Sequence, residues 1–386
     1  WSVRDALIAL VDDYTLIPLA AGADCRYTYA DTLWGEVGMA TRLPYCHPKE
    51  VMIANAALTK AMDGVTFVRK LDTGSSTVYA PLFRRIDGRF VTALWCSRGE
   101  ATVEVDADGD GTVMDLFGRE TPLRGKSGRR ATGGECPAYV ITDGEVRGLR
   151  IVGRRFPREE ALAASGKVGG NLADGEVEVG TDPALQHKRM DSFPVLVTND
   201  HFTVKAVTDP ERGRALEVRH DEARHDPRQS KWLTEVTTLR LKKPIEIPGR
   251  PKAVGVWVKG NSNFGAIRFE VTDAKGHAYG NYRISHEWNP FDWAGTQCVD
   301  FDGWALVTSN FYDGRFHYDE RFGLIGNATD WPWRYLKDWA WATPKTFHYP
   351  LRLTAVSVEY NPEKISLNEF QKTAPELLLG DVVGIE

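Results

Sequence analysis

The chain has 386 residues, 42% of them hydrophobic and 26% charged, a composition that packs into globular domains at a length beyond what one core usually supports. Its 48 basic and 53 acidic side chains leave a formal net charge of -5, which argues against the basic excess of a nucleic-acid-binding surface. No run of about 18 apolar residues is present, so no segment reads as a membrane-spanning helix.

Val3, Leu7, Leu10 and Val11 lie at helical spacing, and the apolar run from Tyr14 to Leu19 reads as a buried strand of parallel type. After a long polar and aromatic loop, Pro48-Lys49-Glu50 opens a second helix whose apolar face comprises Val51, Ile53, Ala54, Ala57, Leu58 and Met62; Gly64 stops it. From Thr66 the period becomes two. Strands are predicted at 77–84, 90–97, 101–105, 112–116 and 138–142, separated by turns such as Asp87-Gly88, as in a small antiparallel sandwich. Residues 151–190 are rich in Gly, Ala and charge and read as a connector. Strand patterns resume at 202–207, 215–219, 233–241, 253–259, 266–273, 296–301, 351–360 and 377–385, the number and spacing expected of a jelly roll. The expected fold class is therefore mainly β: two antiparallel β-sandwiches, the second a jelly roll, preceded by a helix-strand-helix segment. The divisions fall at 1–65, 66–150, 151–190 and 191–386.

The five cysteines are scattered, odd in number and without C-x-x-C spacing, which favours buried thiols over a zinc site or a disulfide framework. Asp106-Ala107-Asp108-Gly109-Asp110-Gly111 begins like a calcium loop, with Asp106, Asp108 and Asp110 as ligands of a structural calcium. The closing acid of such a loop is missing, because its position holds Phe117, and ordinary turn chemistry accounts for the same residues. No other cofactor is expected. Seven of the twelve tryptophans (Trp288, Trp293, Trp304, Trp331, Trp333, Trp339 and Trp341) fall in one short stretch. Indole faces stack on the C–H faces of sugars, so Trp331, Trp333, Trp339 and Trp341 form either a sugar platform or a packing contact; Trp257, Trp293 and Trp304 also suit a sandwich core. Pro332 stiffens the chain between two of these rings, which favours packing.

A helix, a strand and a helix do not make a domain alone. Ser2 to Leu10, Trp34-Gly35-Glu36-Val37-Gly38-Met39, His47-Pro48-Lys49-Glu50 and Ala54 to Leu58 resemble the end of a glycoside hydrolase (β/α)₈ barrel, where the seventh helix, eighth strand and eighth helix precede a β-sandwich. Val91 to Trp95, Val113 to Gly118 and Pro137-Ala138-Tyr139-Val140 resemble the strands of that sandwich in retaining enzymes. Residues 253–304 look like a jelly-roll module appended to large bacterial glycoside hydrolases. The resemblance implies the C-terminal accessory portion of a glycoside hydrolase acting on polysaccharide or oligosaccharide, in which this chain completes the barrel and supports substrate binding. Its catalytic carboxylates are expected upstream, so no catalytic residue is assigned here and the chain alone is expected to be inactive. The implied partners are a carbohydrate and the remainder of the barrel, from the same protein or a second chain; a secreted, periplasmic or cell-surface location follows from the carbohydrate. Barrel sites form from βα loops, so Tyr27, Tyr29 and Trp34 are candidate sugar-subsite residues and Glu36 the acid there that faces substrate. Packing on the sandwich and a loop salt bridge compete with those roles. Two other classes fit the same patterns: a stand-alone glycan-binding or surface protein, and the accessory region of a polysaccharide lyase.

Overall fold

A computed structural model describes residues 50–123, 128–180, 195–197, 201–221, 234–263, 265–281, 298–311, 317–319, 323–325, 333–335, 347–360 and 376–386. Two compact units divide the chain: Trp1–Pro157 with Ser366–Gln371, and Arg158–Ile365 with Lys372–Glu386. Among the described residues the structure is mainly antiparallel β, with two α-helices.

In the first unit, α1 (Glu50–Met62) precedes ten strands: β1 (Thr66–Lys70), β2 (Val78–Tyr79), β3 (Pro81–Arg84), β4 (Phe90–Cys96), β5 (Glu100–Ala107), β6 (Gly111–Met114), β7 (Glu120–Pro122), β8 (Arg130–Gly133), β9 (Ala138–Thr142) and β10 (Val146–Arg155). One sheet runs β1-β3-β4-β9-β6-β7, with β2 also on β4, and a second runs β10-β5-β8. The central strand β4 is apolar almost throughout because both of its faces are covered. Val91, Ala93 and Trp95 meet Ala54, Ala57, Leu58, Ala61 and Met62 of α1. Leu94 and Cys96 point the other way, into a cluster with Val103 of β5, Ala131 of β8 and Val146 of β10. The layers are therefore helix, sheet, sheet.

The sequence groups α1 with the barrel-like segment, and the structure lays its apolar stripe on the outer face of the first sandwich. Burial of a Leu- or Met-sized side chain stabilises by about 1.5–3 kcal/mol, so this helix is held chiefly by its sheet. Ile53 was expected on the buried face and is about half exposed, because small Ala54, Ala57 and Ala61 allow close approach and set the stripe one position on. Gly64 at φ +61° ends the helix, and Arg85 from the β3–β4 turn donates to the carbonyls of Lys60 and Ala61, closing its last turn.

The second unit contains α2 (Pro157–Ala164, its first residue assigned to the first unit), β11 (Gly166–Asn171), β12 (Val177–Gly180), β13 (Val195–Val197), β14 (Phe202–Asp209), β15 (Gly213–His220), β16 (Thr234–Ile247), β17 (Ala253–Asn261), β18 (Ile267–Thr272), β19 (Ala278–Gly280), β20 (Asp302–Asn310), β21 (His317–Asp319), β22 (Gly323–Ile325), β23 (Arg334–Tyr335), β24 (Leu351–Tyr360) and β25 (Glu376–Ile385). Its two large sheets run β14-β15-β25-β17-β20, with β11 on β25, and β12-β16-β24-β18-β19-β23, with β13 parallel on β16. Much of the expected connector is thus regular structure. β11 escapes a periodicity reading because three of its six residues are glycine; a Cβ at Gly166 or Gly169 would strike Val383 or the Glu246 carbonyl.

Along β17, Val254, Val256 and Val258 are fully buried, while Trp257 and Lys259 of the opposite face are partly exposed. At one end of that opposite face α2 inserts Leu162 among Ala253, Leu306, Val383 and Ile385. On β16, β18 and β24 the alternate residues are polar and mostly buried: half-buried Arg240 pairs bidentately with buried Glu270 at 2.8 and 3.1 Å, Arg268 pairs with Glu359, and Thr238 bonds Ser357 at 2.9 Å.

Candidate functional site

The candidate site lies on that opposite face, beyond the part covered by α2. It is assembled by the turn Asp209-Pro210-Glu211-Arg212-Gly213 between β14 and β15. Asp209 Oδ1 accepts the backbone N–H groups of Glu211 and Arg212 at 2.9 and 3.1 Å, and Gly213 takes the left-handed φ of +77°. This local closure sends Arg212 across the face of Trp257, its guanidinium carbon 3.3 Å from the ring centroid and 5.7 Å from that of Trp304. Trp257 lies on β17 and Trp304 on β20, where Trp304 is the register partner of Lys259.

Asp209 joins these elements. Its Oδ2 accepts Lys259 Nζ at 2.7 Å and its Oδ1 also accepts Trp304 Nε1 at 3.1 Å. Burial by itself would raise the Asp209 carboxyl; the lysine bond, the two backbone amides and the indole N–H outweigh it and hold the group at about 2. Arg212 is pulled down by its desolvation against the indoles, with Glu211 and Asp381 opposing, and remains a cation. The result is an exposed, flat guanidinium on a half-buried indole, with a half-buried ammonium beside it and a fixed anion beneath. With Arg212 covering the Trp257 face, the surface offers a polyhydroxylated ligand the flat guanidinium plane and its outward N–H donors.

Of the residues expected to bind sugar, Tyr27, Tyr29, Trp34, Glu36, Trp331, Trp339 and Trp341 lie outside the described residues. Trp333 is fully buried, stacked on Phe311 at 5.0 Å and edge-on to Phe347 at 6.3 Å, and Phe347 in turn meets Tyr279. That ring turns no face to solvent; it packs an aromatic cluster. Asp106 and Asp108 both hold Arg147, at 2.6 Å each, and Asp143 Oδ2 accepts the Asp110 amide at 3.3 Å. Arg147 is thus the positive charge that two of these carboxylates face, and its hydrogen bond holds the Asp106 carboxyl below the usual range.

Asp273, His277 and His348 bring three possible metal ligands together. Asp273 is already saturated: Oδ1 accepts the amides of Lys275 and His277 at 2.9 Å each, and Oδ2 accepts Tyr279 Oη at 3.0 Å and lies 3.2 Å from His277 Nδ1. This is the bonding of a tight turn after β18. A metal there would have to displace those donors.

The sequence treats Trp257 and Trp304 as core candidates and passes over Asp209, Arg212 and Lys259. The one available signal was the Asp-Pro-x-x-Gly turn between two predicted strands. It marks the turn without telling which strand lies across from it.

No family model and no curated protein matches the sequence. Solved structures with some similarity include TmCBM61 in complex with β-1,4-galactotriose, at 14% identity and TM-score 0.21 over 47% of this chain and 82% of that one. They also include PfGH50B, at 8% identity and TM-score 0.26 over 48% of this chain, and an exo-β-agarase, at 9% identity and TM-score 0.24 over 48% of this chain. The matched region spans 22% of each of the latter two chains.

Proposed function

We propose that this chain is the glycan-binding accessory portion of a carbohydrate-active enzyme, of the glycoside hydrolase class, with the outer face of the second unit as its sugar contact. The observation that carries the reading is the Arg212–Trp257 stack, anchored by Asp209 and flanked by Lys259. Neutral glycans need a flat surface and directional donors more than net charge, and the guanidinium held over Trp257 supplies both. A sugar laid over this guanidinium makes one small contact, which suits a weak, repeated interaction along a polysaccharide. In this reading hydrolysis belongs to carboxylates of a barrel that this chain helps to complete, and no catalytic group is assigned to it. The jelly-roll arrangement of the second sandwich belongs to the same proposal.

Affinity electrophoresis of the full chain through gels containing neutral polysaccharides, galactan and agarose among them, tests the contact. Retardation on at least one polymer is expected, weakened severalfold by Arg212→Ala and by Trp257→Ala. Arg212 lies at the surface, so its loss is expected to cost only the stack itself, about 0.5–1 kcal/mol, and to leave the chain folded. A wild-type chain that no polymer retards, or retardation indifferent to both substitutions, overturns the reading.

A further inference from the structure

His201, just before β14, His220 at the end of β15, and Glu235 at the start of β16 converge on one point between the two large sheets of the second unit. Glu235 Oε2 lies 2.8 Å from His201 Nδ1 and 2.7 Å from His220 Nε2. The Glu235 and His220 side chains are fully buried, and His201 alone reaches solvent, at 17% exposure. The backbone fixes all three: Phe202 and His220 are ladder partners, the Asp221 amide donates to the His201 carbonyl at 2.8 Å, and the edge-on Phe202 ring sets the tilt of the His220 imidazole.

We propose that His201, His220 and Glu235 form a binding site for a divalent transition metal, of zinc type, with three protein ligands and an open position on the His201 side. Two imidazoles and one carboxylate are the donor set such ions take, and the three ligand atoms lie within 4.8 Å of one another. Bonds of about 2.0–2.2 Å in tetrahedral geometry place ligand atoms about 3.3 Å apart. Each histidine nitrogen therefore needs to recede from Glu235 Oε2 by only about half an ångström. To present a lone pair, each neutral imidazole carries its proton on its other ring nitrogen. Entry is from the His201 side, where a water completes the coordination. In the Asp273 group the carboxylate accepts two turn amides and a tyrosine hydroxyl and belongs to the turn after β18.

The test is titration of the full chain, freed of metal by a chelator, with cobalt(II) alone, followed by visible absorption and by metal analysis after gel filtration. One equivalent bound, with the intense visible bands of low-coordinate cobalt and displaced by zinc, is expected. His201→Ala, at the solvent edge and so compatible with folding, is expected to weaken binding more than a hundredfold, since even partners one shell further out cost about 10–100-fold. Glu235→Gln keeps the shape and is expected to abolish the bands, and His277→Ala to leave them intact. No saturable binding overturns the proposal, as does binding that survives both His201→Ala and Glu235→Gln or that is lost only in His277→Ala.

Discussion

Replacing Asp209 by Asn removes the charge that organises the candidate glycan face while keeping nearly the same shape. The carboxyl sits at about 2 in the folded chain against an ordinary 3.8. A depressed pKa stabilises the fold fully above the ordinary value, and that stabilisation disappears as pH falls from about 4 to about 2. A difference of nearly two units corresponds to roughly 2.4 kcal/mol at most. Lys259 is about one-third exposed and screened by water, which brings the expected contribution to about 1–2 kcal/mol. Asp209→Asn should therefore destabilise the second unit by that amount at pH 6 and by almost nothing at pH 2. Hydrogen exchange read by mass spectrometry on peptides from β14, β15, β17 and β20, corrected for intrinsic rates, follows this unit separately from the first. Equal protection of wild type and variant at pH 6, or a difference that persists unchanged to pH 2, would refute the electrostatic account.

In the first unit, Leu58→Ala removes the largest aliphatic side chain of α1 from its contact with β4 and should cost about 2–5 kcal/mol, seen as a lower urea midpoint for that unit. Burial pushes the Cys96 thiol up to about 11, so a disulfide reagent at pH 8 should label it only as fast as the unit opens; labelling at the rate of a free thiol contradicts this. Glu359→Ala withdraws the carboxylate from buried Arg268 and should cost about 3–5 kcal/mol in the second unit, with Glu359→Gln losing less.

The strands easiest to read from sequence were those with one face in a core and regular alternation, such as 101–105, or with both faces covered, such as 90–97. Gly64 and the Asp87-Gly88 turn were legible for the same reason, since their chemistry is local. β10 was harder because Arg147, Arg150, Arg154 and Arg155 give it the composition of a loop, and it becomes a strand by pairing with β5 as a charged edge. β11 carries no periodic signal and exists because its bare glycine backbone fits between β25 and the Glu246–Pro248 segment.

The functional face shows the same division. Composition and spacing announced a β-rich, two-sandwich chain with too many indoles for an ordinary core, because periodicity and residue type are properties of short windows. They directed attention to the 331–341 tract, of which Trp333 is buried. Asp209 and Trp304 are 95 residues apart, as His220 and Glu235 are 15 apart on strands of different sheets. The sequence by itself determined that turns and strands form at these places and which side chains are available. Only the tertiary structure decided which of them meet, because register and sheet order bring together residues whose separation along the chain carries no trace of their contact.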